Sequence, residues 1–407
     1  MLKRICEKNK CTACRACQNV CPKDCITFIE NEYGVKNAYM DTDMCAKCNL
    51  CSKVCPTTTR LVGSQPIDCY AAWSLTNTVR HKSASGGVAT ELYRYAIDNE
   101  YWIAGVEIDS EGSAFYSLTN NDYMRYQNSK YTFSDMLNIY LNISDKLIRN
   151  EKVLFIGLPC QVTALKSFLR LKKVPEMNIV FVDLVCHGIT SELYLKQHVS
   201  NIEHRKKKNS TKIFFRDHRY GTHIFFFTLE DNGIVFYKKN VEQDDEYQIA
   251  YHCGIAYREN CYSCPWACKE RMGDLTLSDF IGLGSAEKCD YSDKNVSCVM
   301  INTDKGKEIY SELVQSKYIF SEQRPLEENI RFQPTLNNST LSPKERKEFL
   351  SLYKDSKDFD FAIRVAAKDI IKRNRLNSLL HYKDIKIFCL SLFPRSLKDK
   401  VKRILRR

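Results

Sequence analysis

The chain has 407 residues, of which 44% are hydrophobic and 20 are cysteine, and its formal net charge is +12 at pH 7. This length suffices for two or three domains with their own cores, and no apolar run approaches the roughly eighteen residues of a membrane-spanning helix. Between Arg364 and Arg407 there are 14 Lys and Arg against 3 Asp and Glu, a net +11, so the remainder is nearly neutral. A neutral body lacks the basic face that phosphate binding needs, which excludes nucleic acid as the main partner. The N-terminal sequence MLKRICEKNK has no apolar signal segment, and we expect a protein of the reducing cytoplasm, where thiols stay free to bind metal.

Two cysteine motifs of identical spacing open the chain, each reading C-x2-C-x2-C-x3-C followed by proline. They comprise Cys11, Cys14, Cys17 and Cys21, and then Cys45, Cys48, Cys51 and Cys55. Such a doubled motif is typical of proteins with two 4Fe–4S clusters, in which the fourth cysteine of each motif ligates the other cluster. The spacing therefore predicts one cluster on Cys11, Cys14, Cys17 and Cys55, and a second on Cys45, Cys48, Cys51 and Cys21.

Residues 1–60 are accordingly predicted to form a ferredoxin-like domain with two clusters. Between the motifs, Ile26, Phe28 and Val35 flank the N-E-Y-G segment at 31–34, which predicts a short hairpin. Cys25 lies outside both motifs, and we expect it to pack beside a cluster rather than to ligate iron. A pair of zinc sites is the alternative, since thiolates at C-x2-C spacing also suit zinc, although zinc needs neither the third close cysteine nor the Cys-Pro.

After a linker, residues 83–90 read SASGGVAT and lead into ELYRYAIDN, a predicted helix. Two glycines and several hydroxyls at a helix start are able to form an anion cradle, because backbone N–H groups and the helix dipole then face a phosphate. A helix N-cap with a glycine turn explains the same residues without any ligand. Spacing alone leaves both interpretations open.

Further along, apolar strands alternate with helices. Residues 153–157 (VLFIG) and 179–185 (IVFVDLV) predict buried strands, and the segments VTALKSFLRL and SELYLKQHVSNIEHRK predict the helices that follow them. This order predicts an α/β core with a parallel pair, and ligands of such sheets gather at the carboxyl ends of the strands. Cys160 and Cys186 each fall just past such an end. We divide this region into residues 61–155 and 156–343, followed by a helical basic tail at 344–407.

Six segments behind the doubled motif stand in a fixed order. They are SASGGVAT (83–90), NSKYTFS (128–134), GLPCQVTALKSFL (157–169), DLVCHG (183–188), YRENCYSC (257–264) and RMGDLTLSDFIG (271–282). With these segments the sequence resembles the coenzyme F-420 hydrogenase/dehydrogenase beta-subunit family of iron–sulfur flavoproteins, up to about residue 350. The resemblance is to members associated with bacterial polysaccharide biosynthesis. One segment departs from the family, because its usual G-D-F-W-G reads S-D-F-I-G at 278–282 here.

The resemblance implies an FAD and a third 4Fe–4S cluster behind the ferredoxin. For the flavin it points to a binding loop of Ser85, Gly86, Gly87 and Thr90, and to Lys130 as a flavin or substrate contact. For the third cluster it points to Cys160, Cys186, Cys261 and Cys264, while Cys253, Cys261, Cys264 and Cys268 form a more local alternative set. The alternative for Cys160 and Cys186 is that both are buried structural thiols. The predicted fold class is α/β (α+β): a ferredoxin-like two-cluster domain, an α/β flavin-binding domain with a mixed sheet, and the helical basic tail.

These features together predict an FAD-dependent iron–sulfur oxidoreductase, since a flavin exchanges two electrons as a hydride whereas each cluster carries one. We expect a ferredoxin-like electron donor or acceptor, and a small-molecule or sugar-linked substrate. Whether that substrate is coenzyme F-420 stays open. His187, Asp274 and Asp279 are the catalytic candidates, with loop packing or capping as the alternative for each. A non-catalytic electron-transfer subunit is the alternative function, and an iron–sulfur scaffold or sensor is a third.

The last residues, 391–407, read SLFPRSLKDKVKRILRR and place apolar residues near helical spacing among Lys and Arg. A basic amphipathic helix is able to lie on an anionic membrane surface. We expect a cytoplasmic protein, and peripheral membrane contact is one interpretation of this tail. Docking of the helix on its own domain is the alternative.

Overall fold

A computed structural model describes residues 1–59, 61–241 and 244–379. The described residues form fifteen β-strands: β1 (Leu2–Arg4), β2 (Ile26–Glu30), β3 (Lys36–Asp41), β4 (Asp68–Ser74), β5 (Tyr101–Ile108), β6 (Ala114–Thr119), β7 (Ser134–Asp135), β8 (Lys152–Gly157), β9 (Ile179–Leu184), β10 (Lys212–Phe214), β11 (Phe227–Asp231), β12 (Ile234–Lys239), β13 (Leu275–Asp279), β14 (Ser297–Ile301) and β15 (Ile319–Gln323).

The same part of the chain forms thirteen α-helices: α1 (Ala16–Val20), α2 (Leu50–Val54), α3 (Asn77–Lys82), α4 (Val88–Asp98), α5 (Ile139–Ile148), α6 (Pro159–Lys172), α7 (Glu192–Lys206), α8 (Glu246–His252), α9 (Asp304–Gln315), α10 (Leu326–Phe332), α11 (Glu345–Ser356), α12 (Phe359–Ala366) and α13 (Lys368–Leu379). Each of these helices is too short or too polar to span a bilayer.

The N-terminal region is a small antiparallel sheet with two short helices. The strand order is β1-β3-β2, and β2 and β3 form the predicted hairpin. The side-chain oxygen of Asn31 accepts hydrogen bonds from the backbone N–H groups of Tyr33 and Val35, which closes the turn. Helices α1 and α2 each contain the third cysteine of one motif.

A nine-stranded mixed sheet forms the centre of the molecule, in the order β15-β4-β14-β13-β9-β8-β5-β6-β7. Four neighbouring strands, β13, β9, β8 and β5, run parallel, and β14, β4 and β15 continue the sheet antiparallel. The predicted parallel pair of residues 153–157 and 179–185 is confirmed as β8 and β9. The predicted mixed sheet is confirmed as well.

Both faces of this sheet are covered, which explains the uninterrupted apolar runs of β8 and β9. In β8, Val153 and Phe155 face a core that includes α5, α6 and the N-terminal region. Leu154 and Ile156 face the opposite core, with α4 and α9. The ferredoxin-like region therefore shares its core with the large sheet, because α1 and α2 both pack on α6.

A second small sheet, β10-β11-β12, builds a separate core with α7, α8, α11 and α12. His198 of α7 is fully buried there, with Nδ1 2.6 Å from Asp360 Oδ1 and Nε2 3.3 Å from Asp245 Oδ2. His198, Asp360 and the neighbouring Glu246 offer ligand atoms within 4.8 Å of one another. Glu246 accepts a hydrogen bond from Arg364 at 2.9 Å, so the group forms internal ion pairs that join α7, α8 and α12.

Two predicted boundaries fall inside packed structure. The division at 155/156 cuts through β8, because strands from both segments pair in one sheet. The segment predicted as a tail from residue 344 begins with α11 and α12, whose Phe349, Tyr353 and Phe359 are buried in the second core. These helices belong to the folded body. The predicted membrane contact at 391–407 lies outside the described residues.

Candidate redox site

The two cysteine motifs repeat one backbone conformation. Ala13 and Lys47 occupy equivalent positions and have φ angles of 53° and 57°, and Arg15 and Asn49 have φ angles of 60° and 59°. Residues other than glycine adopt this left-handed region seldom, and only where the surrounding structure enforces it. The repeated conformation gives both loops the same shape.

Cys11, Cys14, Cys17 and Cys55 come together on the inner side of the N-terminal region. Burial raises the pKa of Cys17, and the adjacent thiols of Cys14, Cys11 and Cys55 raise it further. Cys14 and Cys17 are only 8% and 7% exposed. This set is the one that the sequence predicts for the first cluster, with the fourth cysteine supplied by the second motif.

The other predicted set surrounds a cavity of about 310 Å³. Its lining includes Cys21, Cys45, Cys48 and Cys51, together with Cys25 and three lysines, Lys3, Lys23 and Lys47. Cys48 is exposed, unlike the buried cysteines of the first set. One set thus lies inside the molecule and the other lies at its surface.

Two further thiols stand beside these sets. Cys25 is buried and its Sγ lies 3.4 Å from Cys21 Sγ, so it packs beside the second set as predicted for a small apolar residue. Cys6 is adjacent to both Cys11 and Cys55. Cys6 was not predicted, because it belongs to no spacing motif and its position follows only from the pairing of β1 with β3.

Cys160, Cys186, Cys261 and Cys264 converge at the carboxyl ends of β8 and β9. Cys160 lies in the first turn of α6, Cys186 follows β9, and Cys261 and Cys264 lie in and just after the turn Glu259–Ser263. Burial raises the pKa of Cys160, and the adjacent Cys264, Cys186 and Cys261 raise it further.

Cys253, from the competing set, interacts electrostatically with Arg373 and Glu345. Cys268 lies near Cys264, and its thiol faces the carbonyl oxygens of Pro265 and Glu270. The structure therefore gathers the four cysteines of the first alternative. Among the described residues, Cys253 has no comparable place beside them.

The converged set lies next to the inner motif set. Cys160 interacts electrostatically with Cys14. The Arg258 guanidinium lies between the sets and interacts with both Cys11 and Cys261. Arg258 is 2% exposed, and its Nε has no hydrogen-bond partner in the described part of the chain. An unpaired cation buried among thiols fits anionic iron–sulfur clusters, which balance its charge.

A cluster of polar and aromatic side chains adjoins Cys186 at the same sheet edge. Arg216 donates a hydrogen bond to Asp279 at 2.8 Å, and its guanidinium carbon lies 4.3 Å from the ring centroid of Phe225. Tyr131 stacks on Tyr251 with ring centroids 4.5 Å apart. These groups come from four separate segments, and only Asp279 was predicted among them.

Two histidines, His187 and His252, lie at the exposed margin of this cluster. Desolvation by the surrounding protein lowers the pKa of His187, and the Asp279 carboxylate opposes that shift only in part. Desolvation also lowers the pKa of His252 to about 4, and the cationic Arg216 contributes in the same direction. Both imidazoles are therefore neutral at pH 7. The cluster combines the ion pair of Arg216 and Asp279 with neutral imidazole rings, which are able to accept or pass a proton.

The SASGG turn lies at this sheet edge too. Gly86 N donates to Ser297 Oγ at 3.0 Å, and Ser85 Oγ donates to Val296 O at 3.0 Å. Gly87 has a φ angle of 90° and caps the start of α4, which contains the buried Thr90. These polar contacts hold the turn against the sheet at the start of α4.

Lys130 lies in the loop that packs on α4 through Tyr126 and Tyr93, whose ring centroids are 5.2 Å apart. Its Nζ donates to Tyr126 O at 2.9 Å and to Gln127 O at 2.6 Å. Burial lowers the pKa of Lys130 to about 7. The structure thus brings Lys130 to the same side of the sheet as the SASGG turn.

Asp274, the remaining catalytic candidate, lies at the opposite end of β13. Its carboxylate accepts hydrogen bonds from Phe181 N at 2.9 Å and from Thr303 Oγ1 at 2.8 Å. These contacts tie β9 and the start of α9 to β13. Asp274 therefore has the structural role that the capping alternative predicts. It takes no part in the cluster of Arg216 and Asp279.

Comparison with protein families gives two matches. Residues 10–59 match the 4Fe-4S dicluster domain, and residues 150–326 match the family described as the C terminus of the beta subunit of Coenzyme F420 hydrogenase/dehydrogenase. The chain therefore carries a region that is similar to this beta-subunit family, over less than half of its length, behind a dicluster domain. It is therefore an iron–sulfur redox protein.

Among solved structures, a chain in the F420-reducing [NiFe] hydrogenase complex from Methanosarcina barkeri is similar. The identity is 19%, with 77% of this chain and 91% of that chain covered, and the TM-score is 0.45. A search of curated proteins found no match.

The beta-subunit match contains Cys160, Cys186, Cys261, Cys264 and Asp279. The SASGG turn and Lys130 precede it. Sequence reasoning missed Arg216, His252 and Tyr131 because each lies on a different element and no short motif connects them. The one signal was Tyr131, which follows Lys130 in the NSKYTFS segment.

Proposed function

We propose that this protein is an FAD-dependent iron–sulfur oxidoreductase, which exchanges electrons between 4Fe–4S clusters and a flavin that reduces or oxidises a substrate by hydride transfer. The observation that supports this most is the placement of Cys160, Cys186, Cys261 and Cys264. They lie between the dicluster region on one side and the side chains of Arg216 and Asp279 on the other. A third cluster on these cysteines would connect an electron port to a reaction site.

The order of the cysteine sets supports an electron path that runs between the surface and the interior of the molecule. The set with Cys48 reaches the surface, the set with Cys14 and Cys17 is buried, and Cys160 adjoins Cys14. In this proposal the eight motif cysteines ligate the two clusters of the dicluster domain in the crossed pairing given above. Single electrons would then enter or leave at the exposed edge.

For the flavin we propose the turn with Ser85, Gly86 and Gly87, the first turn of α4 with Thr90, and Lys130. Backbone N–H groups at a helix N-terminus favour phosphate. The Lys130 ammonium, whose pKa is lowered toward neutral pH, suits a flavin or substrate oxygen. When bound, the flavin would supply the exchange between hydride and single-electron chemistry. The chain's own part is to orient the ring and to exclude water from the site.

Proton handling in the cluster of Arg216 and Asp279 is proposed for His187, with Asp279 beside it. A neutral imidazole next to a carboxylate that is already held by Arg216 is able to accept a proton without losing the ion pair. Tyr131 and His252 close the aromatic side. We therefore assign His187 and Asp279 as the catalytic candidates and withdraw Asp274.

The proposed electron partner is a ferredoxin-like carrier that docks at the exposed cluster. Lys3, Lys23 and Lys47 surround the cavity with Cys48, and none of the described residues that line it is a carboxylate. A lysine rim attracts an acidic surface and accelerates encounter at low salt. The proposed substrate is a small or sugar-linked molecule in polysaccharide biosynthesis. We also propose a cytoplasmic protein with peripheral membrane contact. The proposals on substrate and location rest on the sequence alone.

The test is anaerobic reconstitution of the full chain with iron, sulfide and FAD. We expect about twelve iron atoms per chain, since each cluster holds four, together with stoichiometric flavin. We also expect the chain alone, once it has been chemically reduced and the excess reductant removed, to reduce an artificial dye in proportion to the electrons that it holds. Intact clusters with no bindable flavin would contradict the enzyme proposal and favour the non-catalytic electron carrier.

A further inference from the structure

One buried arginine differs from all others in the described residues. The others each pair with a carboxylate: Arg216 with Asp279, Arg271 with Asp183, Arg324 with Glu328, and Arg346 with Glu259. Arg258 is as buried as these, at 2% exposed, yet it takes part in none of the salt bridges of residues 1–59, 61–241 and 244–379. A charge buried without a counter-charge is strongly unfavourable, so we expect an anion near the Arg258 guanidinium.

The contacts of Arg258 show where that anion belongs. Its guanidinium donates to Thr12 O at 2.9 Å, to Cys11 O at 3.1 Å and to Lys36 O at 3.2 Å. The guanidinium carbon lies 5.0 Å from the ring centroid of Phe133. All three acceptors are neutral carbonyls, so these bonds orient the group but do not balance its charge.

Two of those carbonyls, of Cys11 and Thr12, belong to the loop of the buried motif set. The backbone of Arg258 belongs to the converged set of Cys186 and Cys261. Arg258 O accepts from Cys261 N at 3.0 Å, and Arg258 N donates to Ile189 O at 2.9 Å, three residues beyond Cys186. One side chain thus connects the first-cluster loop to the loop that carries Cys261 and Cys264. Its charge acts on Cys11 and Cys261 alike.

We propose that Arg258 is a positioning residue for electron transfer between these two sets: its guanidinium supplies the counter-charge for the buried cluster and for the third cluster. Each electron that arrives on a cluster adds one negative charge, which a fixed cation nearby stabilises. Arg258 therefore raises the reduction potential of both clusters, while its hydrogen bonds fix their loops to each other. The inference rests on the proposed function for the third cluster only, because the first cluster lies within the dicluster domain.

The test is a redox titration of the full reconstituted chain and four variants of it, followed by electron paramagnetic resonance. Arg258→Lys keeps the charge, whereas Arg258→Gln keeps donors and removes the charge. Arg80→Gln is the matched control, because Arg80 also bonds a carbonyl, Asn295 O, and lies over an aromatic ring, Trp73. A Cys186→Ser variant assigns the third-cluster signal.

We expect Arg258→Gln to shift the first and third clusters to more negative potentials, with the surface cluster unchanged. Arg258→Lys should stay close to the wild type, and Arg80→Gln should shift nothing. Unchanged potentials in Arg258→Gln at full iron content would overturn the proposal. If Arg258→Gln loses iron, then retention of iron by Arg258→Lys supports it, and equal loss in both variants overturns it.

A failure of the proposed function gives a different result. A wild type with about eight iron atoms would remove the third cluster, since each cluster holds four. The effect of Arg258 on the first cluster would still be measured in the same titration. A lack of flavin would leave both cluster measurements intact.

Discussion

His198 stabilises the second core through charge, although its ring packs among four aromatic side chains, Phe227, Tyr237, Tyr247 and Phe359. Burial opposes its protonation, but Asp360 and Asp245 outweigh that effect and raise the pKa of His198 well above its usual range. The pKa of Asp360 is correspondingly lowered, against its own burial, by His198. The protonated ring between two carboxylates joins α7, α8 and α12.

This arrangement predicts a pH-dependent stability. Because the folded pKa of His198 is raised, its contribution is complete below the unfolded value of about 6.5 and is lost as pH rises through the folded pKa. We expect His198→Gln to cost about 3–5 kcal/mol at pH 6 and less at pH 9, since it leaves buried carboxylates unpaired. Anaerobic thermal melts at both pH values measure the difference. The control is His204→Gln on the same helix, where the side chain is exposed, and an unfolding difference that does not change with pH contradicts the argument.

The proposed ligands of a third cluster give a second prediction at the scale of single residues. Cys186→Ser removes one of the four converged thiols, so we expect loss of about four iron atoms per chain with the dicluster retained. Cys253→Ser serves as the matched control because Cys253 faces Arg373 and Glu345 instead. Iron and labile sulfide analysis decides between them. Loss of iron in Cys253→Ser alone would restore the local alternative set.

Sequence was most informative where chemistry demands fixed spacing. The eight motif cysteines follow from spacing, since adjacent ligands of one cluster must come from one tight loop. Arg216, Tyr131 and His252 did not follow, because three distant segments meet only after the sheet and the second core have formed. Arg258 was also missed, although it stands three residues before Cys261. Its burial depends on Phe133 and on the N-terminal loop.

At the scale of elements, the SASGG turn is the part most sensitive to a single methyl group. A Cβ atom at Gly86 would overlap the carbonyl oxygen of Ala72 and lie 2.8 Å from Ser297 N. Both atoms belong to strand backbones and have no room to move. We expect Gly86→Ala to displace the turn from the sheet edge.

The expected result is a loss of stability of about 1–3 kcal/mol from overpacking, with weaker retention of FAD. Gly233→Ala is the control, since Gly233 has open space around it and a φ angle of 87° in a remote hairpin. That variant should lose about 1 kcal/mol through backbone strain alone, with flavin retention unaffected. Gel filtration followed by flavin absorbance measures retention. Equal flavin loss in both variants would show that the turn has no specific role in flavin binding.

The elements that the sequence predicted well are buried on both faces or bounded by turn residues. Strands β8 and β9 are continuous apolar runs, and α4, α6 and α7 follow strands or cap signals. The helices α11 and α12 were assigned to a tail because the basic residues beyond Arg364 dominate the composition there. Their core role depends on Phe349 and Phe359 meeting α7 and α8, which local sequence does not encode.

At the scale of the whole molecule, the dicluster region and the large sheet share one core. Tyr140 of α5 donates to Cys14 O at 2.6 Å, and α1 and α2 pack on α6. Two units that share a core are expected to unfold together. Heating should therefore bleach the iron–sulfur absorbance and remove helical circular dichroism in a single transition.

Tyr140→Phe tests this connection with little change in volume. Loss of a buried hydrogen bond costs about 1–2 kcal/mol, and both signals should move to a lower Tm by the same amount. Two separate transitions in the wild type, or a shift of the absorbance alone, would show that the dicluster region is an independent unit.

The unequal exposure of the two motif sets determines where dioxygen would first attack the protein. With Cys48 at the surface and Cys14 and Cys17 under 10% exposed, an oxidant reaches the outer cluster first. On the proposed electron path, damage to this cluster would stop the exchange of electrons with a partner before it reached the buried cluster. Because Cys48 is exposed to solvent, iron and sulfide would be able to restore the damaged cluster without unfolding of the chain.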